Sequence, residues 1–258
     1  MKHLMTDLES LDTSDTAVVI QVGMVVFDDD GNLLGELCVN INAIDSLLNG
    51  FTTSVDTCKN FWAKQDRAVK ESVLYPTEQY SCREAARLID RFLKDQFGTE
   101  KFTIWSNHLL FHIPKTNLLL TKCGFKSLSD RTPHYLVEDF ASVKNTAKRL
   151  YPDEFEVAKK SLSNEMAHNA VADCYYQIAL LHSCYDILGN RVRIPEVLKQ
   201  SYPVEVEPTP QAELPTNDVD PLLNPPEMLD DLASWEDDDE VNQSDPFLTE
   251  VFDPTKAK

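Results

Sequence analysis

Residues 7–27 read DLESLDTSDTAVVIQVGMVVF. The second half, Ala17–Phe27, is a β-branched apolar run closed by DDDGN, a strong turn signal, and followed by LLGELCVNI. Such a pattern predicts a buried strand turning back into a second one. The first half places Asp7 and Glu9 two residues apart just ahead of these strands. In an extended segment residues i and i+2 point to one face, so both carboxylates can reach one metal ion. Asp-x-Glu is common in acidic chains, where by itself it usually marks a solvated surface.

Working outward, Ser81 with Glu84 forms a capping-box pattern, and Ala85, Leu88, Ile89, Phe92 and Leu93 recur at helical spacing behind it. The short run KFTIW (101–105) predicts a strand, and IPKTNLLLTKCGF (113–125) a helix. Residues 136–150, LVEDFASVKNTAKRL, read as a helix. So do residues 170–187, where Val171, Cys174, Tyr175, Ile178, Leu181 and Tyr185 share one face. An early β-meander followed by alternating elements implies an α/β sheet with helices packed on it.

Charge divides the chain. Its 258 residues carry a net −19, and 16 acidic against 2 basic residues from 201 to 258 account for −14 of it. We therefore expect a domain over residues 1–195 and an acidic, proline-rich, disordered C-terminal tail over 196–258. Within the tail, PPEMLDDLASW places Met228, Leu229, Leu232 and Trp235 at helical spacing, so a short amphipathic helix is expected at 226–236. Asp230, Asp231, Trp235, Glu236, Asp237 and Asp238 are candidate partner-binding residues. A solubilising tail with no target is the alternative.

Like charge disfavours nonspecific contact with nucleic-acid backbone or anionic lipid and favours a basic protein partner. The six cysteines show no CxxC or zinc-ligand spacing, which implies reduced, mostly buried thiols. The opening MKHLMTDLES is too acidic for a signal peptide, and no run approaches the ~18–20 apolar residues of a membrane span. A soluble cytoplasmic protein without membrane contact is expected.

Downstream, AHNAVADCYYQ (167–177) sets His168 just before a helix that Asn169 can cap, with Asp173 in its first turns. A histidine at a helix mouth and an aspartate near a helix N-terminus each have ordinary structural explanations. Taken together, however, the DLES stretch with its strands, the segment FWAKQDRAVKESVL (61–74), similar to a tryptophan-containing helix of the family, and HNAVAD (168–173) resemble the DEDDh 3'-5' exonucleases. The likeness is to the branch of phage exonuclease A and small bacterial exoribonucleases, over about residues 3–187. It implies an RNase H-like mixed β-sheet flanked by helices. It also implies four carboxylates holding two Mg or Mn ions, a histidine as general base, RNA or single-stranded DNA as substrate, and a homodimer. Carried over, Asp7 bridges both metals, Glu9 and Asp173 each complete a site, and His168 is the base.

The second motif departs from this pattern. WSNHLLFHIP (105–114) matches the family's Trp and Phe at Trp105 and Phe111, but His112 stands in place of the aspartate and His108 in place of a glycine. Mg²⁺ prefers oxygen ligands, so a surviving site would lean toward manganese, with His112 as an unusual ligand or Asp139 swinging in. The leading expectation is a catalytically degenerate, phage-type protein with no bound metal. Its acidic surface would occupy the RNA-binding site of a basic host factor, such as a ribonuclease or an RNA degradosome component, in the host cytoplasm. The alternative is an active metal-dependent 3'-5' exonuclease.

Overall fold

The computed structural model describes residues 1–163 and 166–189. The partner-binding residues expected between Asp230 and Asp238, the helix expected at 226–236 and the boundary at 195 lie outside the described residues.

Strands β1 (Lys2–Ser10), β2 (Val19–Asp28) and β3 (Leu33–Asn40) form the antiparallel meander that the opening stretch predicts. Helices α1 (Ala43–Leu48), α2 (Arg67–Val73) and α3 (Cys82–Phe97) follow, then β4 (Thr103–Ser106), α4 (Leu109–Lys122) and β5 (Val137–Asp139). The described chain ends with α5 (Phe140–Leu150), α6 (Pro152–Ser161) and α7 (Ala170–Gly189). Sheet order is β3-β2-β1-β4-β5, with β4 parallel to β1 and β5 parallel to β4. The fold is the mixed, helix-flanked α/β sheet that was expected.

Period-two alternation splits the core between the faces of the sheet. Leu4, Leu8, Val22, Met24, Val26 and Ile104 pack on one side with Ala85, Ile89 and Leu93 of α3. Met5, Val25, Phe27 and Trp105 pack on the other with Phe140, Phe155 and α7. Asp7 and Glu9 share the parity of Met5 and therefore face α7. Helix α3 begins as its sequence predicts, with the Ser81 hydroxyl accepting from the Glu84 N–H at 3.3 Å.

Three local expectations need correction. Residues 137–139 are a strand, and helix α5 starts only at Phe140, because the Asp139 side chain caps it by accepting from Ser142 N–H. The tryptophan segment is not one helix: Trp62 lies in a single tight turn and α2 begins at Arg67. Helix α7 is buried around more of its circumference than one apolar face allows, with Gln177 and Cys184 inside and Tyr185 45% exposed.

Candidate active site

Asp7 and Glu9 occupy the C-terminal half of β1, both buried. Helix α7 crosses directly above them because β2 carries a glycine at the crossing. Gly23 pairs with Asp7 across the strands, and a Cβ at Gly23 would sit 2.3 Å from the carbonyl carbon of Ala170, the first residue of α7. The start of α7 is further fixed by Gln21, whose side-chain oxygen accepts from Ala170 N–H at 2.8 Å, and by Asn169, which accepts from Ala172 N–H. Asn169 thus caps the helix as expected.

The helix start, held in this way, brings Asp173 and His168 to the two strand carboxylates. One ligand atom each from Glu9, His168 and Asp173 lies within 4.8 Å of the others. His168 holds a left-handed backbone (φ 67), and its N–H donates to Asp173 Oδ2 at 3.0 Å. Its ring meets the edge of Phe61 at 4.9 Å. Gln177, one turn after Asp173, donates from Nε2 to Asp7 Oδ1 at 2.9 Å, while its own Oε1 is buried without a partner among the described residues.

Electrostatics marks the cluster as short of positive charge. Burial pushes the Asp7 carboxyl up to about 8; the Gln177 hydrogen bond works against this and the Asp173 charge adds to it. Burial, then Asp7 and Asp173, likewise push Glu9 well above the usual carboxylate range. Among the described residues no lysine or arginine pairs with Asp7 or Glu9. Clustered, desolvated carboxylates next to an orphaned amide oxygen suit a divalent cation, the group that would best repay their burial. Glu9, His168 and Asp173 are close enough to share one, with the Asp7 carboxyl beside them.

His112 lies in the first turn of α4. Its Nδ1 accepts from Leu8 N–H at 3.2 Å, and its Nε2 stands 3.6 Å from Asp7 Oδ1. Burial lowers its pKa to about 3, with His108 and Lys115 adding repulsion, so the ring is neutral at pH 7 and the contact with Asp7 is not an ion pair. His108 caps α4 in a left-handed conformation (φ 61), the geometry in which a glycine would be at ease. Asp139 does not reach the cluster: its carboxylate accepts from Leu109 N–H, Ser142 N–H and the Ser142 hydroxyl.

Asp7, Glu9, His112, His168, Asp173 and Gln177 line a cleft of about 1090 Å³. Lys144 and Lys148 of α5 and Lys159 of α6 line its wall. Sequence reasoning missed these lysines and Gln177. The signals available were two lysines at i,i+4 spacing and a polar residue one turn beyond Asp173 on an otherwise apolar helix face. The thiols are unpaired as expected, with Cys58, Cys82, Cys174 and Cys184 buried and Cys38 exposed. Among the described residues no helix is long and apolar enough to cross a membrane.

Residues 2–185 match the family described as the 3'-5' exoribonuclease Rv2179c-like domain. No curated protein matches the chain. Among solved structures, a product-bound exonuclease I is similar at TM-score 0.54 and 14% identity, over 73% of this chain and 44% of that one. The zinc-bound E. coli exonuclease I in complex with single-stranded DNA gives TM-score 0.50 and 12% identity, over 74% and 41%. The chain thus spans less than half the length of these structures, and at such identity the likeness is one of fold.

Proposed function

We propose, from the premise that the chain belongs to the 3'-5' exoribonuclease Rv2179c-like family and so to the DEDDh 3'-5' exonucleases, that it removes nucleotides from the 3' end of single-stranded RNA. The observation that carries this reading is the meeting of Asp7 and Glu9 with His168 and Asp173, more than 150 residues away in sequence, under a wall of lysines. In a chain of net charge −19, three lysines lining one cleft wall are a local exception suited to backbone phosphates.

A divalent cation bound there would supply Lewis-acid stabilisation of the charge that develops on phosphate oxygens. The protein's own residues do the rest. Asp7, Glu9 and Asp173 would hold the cation. A ring nitrogen of His168 takes the proton of the attacking water, as a histidine near neutral pH can. Lys144, Lys148 and Lys159 bind the phosphates of the strand. The test is shortening of a 5'-labelled single-stranded RNA by the full chain with Mg²⁺ or Mn²⁺, a parallel single-stranded DNA marking the substrate class. Loss of shortening in Asp7→Ala supports the reading; no shortening under either ion removes it.

One observation favours a second reading, in which the centre is catalytically degenerate. His112 stands where the resemblance calls for an acid, and its Nδ1 is occupied by Leu8 N–H. The strongly acidic residues 201–258 would then serve a basic RNA-binding partner, such as a host ribonuclease met by a phage-encoded inhibitor. Retention of a basic ribonuclease by the full chain, without any RNA shortening, would select this reading.

A further inference from the structure

We infer that the site holds a single divalent cation, because His112 and Gln177 together close the side of Asp7 on which a second would bind. The inference rests on the proposed reading of Asp7, Glu9 and Asp173 as ligands, and it concerns how many ions those ligands admit.

A carboxylate bridges two cations by giving one oxygen to each. At Asp7, Oδ1 already accepts one hydrogen bond and is faced by a second N–H group, which makes it the weaker of the two oxygens toward an ion. Gln177 Nε2 donates to it at 2.9 Å, and His112 Nε2 faces it at 3.6 Å. The proton on His112 can be assigned from its other nitrogen. Leu8 N–H donates to Nδ1 at 3.2 Å, so Nδ1 bears the lone pair and a neutral ring must carry its hydrogen on Nε2. The face of His112 toward Asp7 is therefore an N–H group, with no lone pair to offer an ion. Oδ2 of Asp7, to which no side chain donates among the described residues, is the oxygen better placed to meet an ion.

The ring cannot readily turn to offer a lone pair instead. It is 7% exposed, and Phe111 lies edge-on to it at 5.1 Å. Its backbone is held on both sides, by His112 N–H donating to His108 O and by the Thr116 hydroxyl donating to His112 O. Releasing Nδ1 would break the Leu8 N–H hydrogen bond that holds the ring against β1.

Charge leads to the same count. Asp7, Glu9 and Asp173 offer three negative charges, enough for one dication but not for two. The other acids lining the cleft, Asp12 and Asp56, are engaged by neighbours: Asp12 by Ser14, Thr52 and Thr13 N–H, Asp56 by Asn60. Neither is free to make up the deficit without giving up those bonds.

The experiment is to count Mn²⁺ ions on the full-length chain by calorimetric titration and native mass spectrometry, for the native sequence and for His112→Asp. One ion on the native chain and two on His112→Asp are expected. Two ions on the native chain, or one on both, would overturn the inference while leaving the ligand reading intact. No ion on the native chain would instead remove the ligand reading itself. Should His112→Asp fail to fold, the native chain still decides through the electron paramagnetic resonance of bound Mn²⁺. At saturation the spectrum of an isolated ion is expected, and a spin-coupled pair would overturn the inference.

Discussion

Gly23 and Ala170 touch across the sheet–helix interface so closely that no side chain fits between them: a Cβ on Gly23 would lie 2.3 Å from Ala170 C and 2.4 Å from its carbonyl oxygen. Gly23 is also the register partner of Asp7. One missing methyl group thus sets how close Asp173 and His168 come to Asp7 and Glu9. Gly23→Ala is expected to cost about 1–3 kcal/mol in urea unfolding, as overpacking against backbone does. It should also abolish the rise in melting temperature on adding Mn²⁺. Gly189→Ala, where a Cβ meets nothing within 4 Å, is the matched control and should leave both quantities near native.

Asp7 sets a pH dependence whose sign can be worked out. Its carboxyl is pushed from the ordinary 3.8 up to about 8 in the folded chain, so the folded state binds its proton more tightly than the unfolded state. That contribution to stability is complete below about pH 4 and is lost as pH rises toward 8, at no more than ~1.4 kcal/mol per unit. Metal-free protein should therefore lose stability between pH 5 and 8. Asp7→Asn should flatten the curve and melt higher than the native chain at pH 8. Mn²⁺ should flatten it for the native chain alone. A metal-free curve that rises with pH over this range would refute the assignment.

Trp62 ties the segment between α1 and α2 to the strand that carries the acids. It is 2% exposed, and its Nε1–H donates to Ser10 O, next to Glu9, at 2.9 Å. Trp62→Phe keeps most of the apolar volume but leaves that carbonyl without its donor. A loss of about 1–3 kcal/mol is expected in denaturant unfolding.

The lysine wall predicts a salt signature. In an Asp7→Asn background, where cleavage is blocked, Lys148→Glu with Lys159→Glu should weaken binding of single-stranded RNA. It should also reduce the slope of log K against log salt by ~0.7 for each phosphate that is no longer neutralised. Both lysines are exposed, so folding stability should change by no more than about 0.5 kcal/mol each. An unchanged salt slope would place the strand elsewhere.

His108 carries backbone strain at an exposed position, with φ 61. A left-handed non-glycine residue costs ~1–2 kcal/mol, and glycine relieves this strain while giving up ~0.5–1 of it through the entropy of the unfolded chain. His108→Gly should therefore stabilise by roughly 0.5 kcal/mol, whereas a β-branched His108→Val should destabilise. Thermal melts of the two variants should move in opposite directions.

The meander, α3 and the short strand β4 were legible because alternation, turn residues and the Ser81 cap are local signals. Asp7 and Glu9 were legible as a same-face pair, and HNAVAD as the opening of a helix. That the two would meet came from the family resemblance alone, because nothing local to either segment encodes a meeting made through Gly23. An isolated glycine inside the run VIQVGMVVF was the available sign of close backbone approach. Gln177 stayed hidden because helix periodicity marks which face is apolar, not which polar residue on that face meets a carboxylate. Lys144 and Lys148 looked like ordinary solvated charges, since their role depends on α6 lying alongside α5. Residues 136–139 pass for helix in the sequence because three residues of strand are too short to show a period against the helical pattern that follows.

The cluster joins the seventh and ninth residues of the chain to the 168th and 173rd. At synthesis rates of roughly 5–20 residues per second, its first acids precede its last by on the order of ten seconds or more. For that interval the growing polypeptide on its ribosome, itself surrounded by RNA, carries half a cleft and no complete cluster. Whatever chemistry the finished protein performs is withheld from its own messenger until α7 has emerged and docked, a delay written into the order of the strands and helices.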